Sequence, residues 1–162
     1  MLYQAGVAET LVGYTNANWA GSADDCNSFS GFSLSLGSIT ISWSNKKHPT
    51  IVLSSTEAEY QGAVVATYEA IWLKRLHKDL QVEGSDPTTI YYINLNIIQL
   101  AWNLVFHART KQIEVHYHFF CEHVLFGEVK LVYVPTDRQT TDIFTKPLDL
   151  EKLGQFSGAL GL

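Results

Sequence analysis

A chain of 162 residues with 46% hydrophobic and 17% charged residues has the size and composition of one domain with a sizeable core, which excludes a disordered chain. A net charge of −5 argues against tight stand-alone binding of nucleic acid, because its basic residues fall only in small groups: Lys46-Lys47, Lys74-Arg75, and Arg109 with Lys111. No apolar run is long enough to cross a membrane, no basic-then-apolar leader follows Met1, and two cysteines make no disulfide framework, so an intracellular, non-secreted chain is expected.

The first predicted element is a short strand over Leu11-Val12-Gly13-Tyr14-Thr15. Ser30 to Leu36 alternates apolar and small polar residues and stops at Gly37, as a strand before a turn does. Ile39 to Trp43 alternates again. Three strands joined by short connections imply an antiparallel meander.

The period then changes. Ser54-Ser55-Thr56-Glu57 has the form of a capping box, a hydroxyl three residues before a carboxylate. Tyr60, Val64, Tyr68, Ile71, Trp72, Leu76 and Leu80 follow at helical spacing and predict one apolar stripe, ended by Gly84 and Pro87. Thr88 to Ile93 is β-branched and aromatic, hence a fourth strand. A short helix through 97–102 and a second over about 111–125 come next. Val129 to Val134 is a fifth strand ended by Pro135, and a closing helix runs through 141–144 before Pro147. The order β-β-β-α-β-α-α-β-α predicts an α/β fold with a five-stranded mixed sheet flanked by helices.

Six blocks carry a family likeness. They are Gly13-Tyr14-Thr15-Asn16-Ala17-Asn18-Trp19-Ala20-Gly21, Ile41-Ser42-Trp43-Ser44-Asn45-Lys46-Lys47, and Ser54-Ser55-Thr56-Glu57-Ala58-Glu59-Tyr60 with Glu69-Ala70-Ile71-Trp72-Leu73. Further on stand Phe106-His107-Ala108-Arg109-Thr110-Lys111, Tyr117-His118-Phe119, and Val134-Pro135-Thr136 through Asp142-Ile143-Phe144-Thr145-Lys146-Pro147-Leu148. In order and spacing they resemble the ribonuclease H-like C-terminal domain of copia-type LTR retrotransposon Pol polyproteins. The resemblance implies a residual linker from the reverse-transcriptase side over 1–10, the ribonuclease H-like domain over 11–148, and a polyprotein tail over 149–162. It also implies a truncated reading frame that has lost the polymerase.

The chemistry so implied is hydrolysis of the RNA strand of an RNA–DNA hybrid by two Mg²⁺ (or Mn²⁺) ions roughly 4 Å apart, held by four convergent carboxylates. Mapped onto this chain, Glu59 and Asp142 are retained as catalytic and metal-binding acids. Asn16 stands at the first lost acid and Ile93, followed by Asn94, at the other; Asn18 replaces the second Asp of the first block. Asn16 keeps a carbonyl oxygen able to touch a cation weakly, whereas Ile93 offers no ligand. The expectation is weak or no metal binding and absent or very weak hydrolysis. Lys46, Lys47, Arg109 and Lys111 are the residues that would contact nucleic acid, with weak hybrid binding by a monomer that has no membrane partner. The alternative is a non-catalytic nucleic-acid- or protein-binding module on the same fold. A zinc site from His116, His118, Cys121 and His123 is disfavoured, since on a helix these residues fall on two faces. Asp24-Asp25, in a Gly/Ser-rich turn, is disfavoured as a substitute metal ligand pair.

Overall fold

Alternation of apolar and polar side chains builds the first half of a sheet in the computed structural model, which describes residues 10–22, 24–49, 52, 54–81, 86–102 and 111–161, the side chains of 111–114 excepted. Strands β1 (Leu11–Asn18), β2 (Phe29–Leu36) and β3 (Ile39–Lys47) are antiparallel, with Asn16 opposite Gly31 and Gly31 opposite Asn45. Gly37, with φ of 58°, takes the left-handed turn between β2 and β3 that a side chain would disfavour. Strands β4 (Thr88–Tyr92) and β5 (Val129–Tyr133) add in parallel to β1, giving the order β3-β2-β1-β4-β5. This is the mixed sheet expected from the sequence. β1 sits at its centre.

Helix α1 (Ser55–Asp79) starts where the capping box places it: the Glu57 N–H donates to Ser54 Oγ at 3.2 Å. Its apolar stripe is not the one expected. Tyr60, Val64 and Ile71 are buried, but Tyr68, Trp72, Leu76 and Leu80 are exposed. The face against the sheet mixes small residues, Ala58, Ala66, Thr67 and Ala70, with the larger Ile71 and Leu73. Several of the large apolar residues that marked the periodicity face outward, and alanines share the contact with those that do not.

Helices α2 (Leu95–Ala101) and α3 (Lys111–Leu125) pack beside α1. Tyr60, Tyr92, Ile97, Tyr117, Phe120 and Val124 form one core there, and Phe32, Leu34, Ala66, Ile71, Ile90 and Val129 a second between sheet and α1. After β5 a single 3-10 turn (Thr136–Arg138) leads to α4 (Asp142–Thr145). The segment expected as a tail contains a further helix, α5 (Leu150–Ala159), capped by Asp149 through the Lys152 N–H at 2.8 Å. Phe156 and Leu160 are buried, and the Leu160 carbonyl accepts from Thr40 Oγ1 at 2.9 Å, which ties this helix to β3. No helix among the described residues is long and apolar enough to cross a membrane.

Candidate functional site

The central strand carries Asn16, 1% exposed, with its side chain aimed at the start of α4. That approach depends on Gly31, the cross-strand partner of Asn16: a Cβ there would stand 3.0 Å from Phe144 Cβ and 3.1 Å from Thr145 Cγ2. α4 is also held by Gln139, fully buried, whose side-chain amide donates to the Thr15 carbonyl at 2.8 Å.

With α4 so placed, Asn16 Nδ2 donates to Asp142 Oδ1 and lies 3.4 Å from Thr145 Oγ1. Its Oδ1 is taken up by the neighbouring Ala17 N–H at 2.8 Å. A carboxylate only accepts hydrogen bonds, so the amide must turn its NH₂ toward Asp142. The carbonyl oxygen expected to face a cation therefore faces the backbone. Asn18 makes a second tie, donating to the Thr145 carbonyl at 2.9 Å.

Lys146, one turn after Asp142, holds its Nζ 3.1 Å from both Asp142 carboxylate oxygens. Asp142 is buried in this pair, its side chain 7% exposed against 34% for Lys146. The spacing of four residues was visible in the last motif block, but nothing in the sequence assigned Lys146 a role.

Glu59, in the second turn of α1, accepts from the Asn94 side-chain amide, and its backbone carbonyl accepts from the Tyr92 hydroxyl. Asn94 also caps α2, its Oδ1 accepting from the Asn96 N–H at 2.8 Å. Burial pushes the Glu59 carboxyl above its usual range, and the Asn94 hydrogen bond and the Lys146 charge pull it back. Ile93 occupies the bend after β4, half-buried, beside Asn94. Asn16 and Asp142 thus touch, and Glu59 feels the same ammonium that grips Asp142. Asn94 is the other residue that sequence reading missed.

The basic candidates differ among themselves. Lys46 is exposed at the end of β3. Lys47 is engaged, 2.8 Å from Asp25 and 3.1 Å from Ser22 Oγ, and hydrogen bonding to Asp25 by Lys47 and then by Ser22 holds its carboxyl down to about 2. Asp25 is accordingly an ion-pair partner. Arg109, His107 and the side chain of Lys111 lie outside the described residues. Of the residues weighed for zinc, Cys121 is fully buried, His118 is exposed and His123 pairs with Glu128. Among the described residues no three His, Cys, Asp or Glu side chains are placed to hold a metal ion.

No protein-family model matches the chain. It is 39% identical over 153 residues to the retrovirus-related Pol polyprotein from transposon RE2 of Arabidopsis thaliana, covering 94% of this chain and 10% of that protein. The polyprotein from transposon RE1 of the same plant is 38% identical over 153 residues, again 94% of this chain and 10% of its own length. The chain therefore spans about a tenth of these curated relatives. Among solved structures it is similar to LC11-RNase H1 in complex with an RNA/DNA hybrid, with a TM-score of 0.57, 11% identity, and coverage of 84% of this chain and 94% of that one. That likeness establishes the fold.

Proposed function

Since the chain belongs to the ribonuclease H-like domains of copia-type, retrovirus-related transposon Pol polyproteins, we propose that it keeps the fold of an RNA–DNA hybrid hydrolase and has lost the hydrolysis. The supporting observation is the polarity at position 16, where a hydrogen-bond donor meets Asp142 in the place the family gives to a ligand oxygen.

Two divalent cations do not fit the residues present. A hard cation needs anionic oxygens around it, and the family's four carboxylates are here reduced to Glu59 and Asp142. An amide NH₂ and an ammonium already point at Asp142. Each missing negative charge next to a divalent ion forfeits several kcal/mol of attraction, even at an effective dielectric of about 20. Acids that act as a unit lose function together, so a partial set retains little. Hybrid binding is expected to be weak as well, because the chain carries a net charge of −5 and Lys47 is committed to Asp25, although Lys46 is exposed.

The test is cleavage of a labelled RNA–DNA hybrid in Mg²⁺ and, separately, in Mn²⁺, which tolerates mixed oxygen and nitrogen ligands better. The expected result is no cleavage above the protein-free control with either ion. Metal-dependent cleavage that survives further purification overturns the reading.

A further inference from the structure

Asp142 opens α4 almost completely buried, and a carboxylate in that position is costly unless its charge is met. In an active two-metal site the cations would meet it. Here the Asn16 amide donates to Oδ1, and Lys146 Nζ stands 3.1 Å from Oδ1 and 3.1 Å from Oδ2. These contacts come from opposite sides of one joint. Asn16 belongs to the central strand, whereas Lys146 lies on the same short helix as Asp142 and caps its end. Asn18 closes the joint through the Thr145 carbonyl.

We propose that Asn16 and Lys146 form a metal-independent latch, which stands in for the divalent cation at Asp142 and holds α4 on β1. This rests on the loss of hydrolysis proposed above and adds a function to the altered residue at position 16. The substitution at position 16 removes a ligand and also supplies the donor that keeps the joint closed. Lys146 further attracts Glu59 on α1, so its single positive charge serves both surviving acids. An Asp at position 16 would place two carboxylates face to face, and the joint would then need a cation from solution.

Thermal unfolding of the 162-residue chain with a chelator and with millimolar Mg²⁺ tests the latch. The wild-type Tm is expected to be the same in both. Lys146→Met should lower Tm by about 4 °C or more, while Lys146→Arg, which keeps the charge, should retain most of it. Asn16→Asp should be less stable than wild type in chelator and regain stability in Mg²⁺, since a ligand that binds only the folded state raises Tm. A wild-type Tm that rises with Mg²⁺ overturns the latch, and so does an Asn16→Asp chain whose Tm matches wild type in chelator. If Lys146→Met yields no folded protein, the Asn16→Asp comparison decides alone. The hybrid-cleavage assay on the same samples separates the two readings. Cleavage by wild type sinks the loss of hydrolysis, whereas an inactive wild type stabilised by Mg²⁺ sinks only the latch.

Discussion

His48 Nε2 lies 2.6 Å from the Ser30 hydroxyl, and its other ring nitrogen, Nδ1, is buried without a partner among the described residues. The imidazole is therefore suited to the neutral form. Burial lowers its pKa from 6.5; the Glu57 charge raises it and the Lys46 charge lowers it further.

A pH dependence of stability follows from that shift. Below about 6.5 the unfolded chain takes a proton that folded His48 refuses, so stability is lost as pH falls through the unfolded value toward the depressed folded one. Chemical denaturation at about pH 7.5 and about pH 5 should show a lower midpoint at the acid end. His48→Gln should flatten the profile. An unchanged slope in that variant would place the titrating group elsewhere. The Asp25–Lys47 pair acts at much lower pH, because Asp25 titrates at about 2.

Gly31→Ala tests the packing that brings α4 to β1. The added methyl would meet Phe144 Cβ at 3.0 Å and Thr145 Cγ2 at 3.1 Å, both tighter than ordinary contact. Both neighbours are held, since the Phe144 ring is stacked on Trp43 and the Thr145 hydroxyl sits between the Asn16 amide and the Thr141 carbonyl. The expected cost is about 1–3 kcal/mol, as for other overpacked sites, read from the unfolding midpoint. By contrast Gly154→Ala meets nothing within 4 Å and lies inside α5. It should stabilise by roughly 0.5–1 kcal/mol through helix propensity.

Trp43 and Phe144 provide a third test. Their rings stack 7° from parallel with centres 5.6 Å apart, joining the edge strand to α4, although Trp43 is 64% exposed. A double-mutant cycle of Trp43→Ala and Phe144→Ala should give a coupling of about 0.5–1.5 kcal/mol. Coupling near zero would show that the stack is incidental and that α4 depends on its polar ties alone.

The sheet and the backbone of the site were legible because they depend on local rules. Alternation marked β1 to β3, the capping box fixed the start of α1, and the motif blocks singled out Asn16 and Asp142, which the fold brings into contact. What escaped depends on pairings across the chain. The role of Lys146 becomes visible only when Asn16, 126 residues before Asp142 in sequence, is seen on the same carboxylate. Asn94 looked like a mere neighbour of Ile93, yet it joins Glu59 to the α2 cap. α5 was hidden because Pro147 reads as a terminator and because Gly154 and Gly158 weaken the helical signal. Its anchor is a contact between Thr40 and Leu160 that no local pattern encodes.

Placing acids at the two positions proposed to have lost them, 16 and 93, is the most demanding test of the site. Asn16→Asp alone gives Asp142 a carboxylate neighbour but leaves position 93 apolar, and Ile93→Asp alone leaves a donor at position 16. Since grouped acids fail together, each single variant is expected to show no cleavage of a labelled RNA–DNA hybrid. The double variant should cleave in Mg²⁺ and stop when a chelator is added. Each recovered charge is worth several kcal/mol beside a divalent ion, so the gain over parent should reach at least about a hundredfold. Stability must be measured alongside, because Ile93 is half-buried after β4 and an Asp there is expected to cost about 1–3 kcal/mol in the absence of metal. A double variant that unfolds at the parent's temperature in Mg²⁺ yet cleaves nothing would count against assigning these two positions to the lost acids. If instead Asn16→Asp alone is active, the deficit lies at position 16, and Asn94, already bonded to Glu59, becomes the residue to test next.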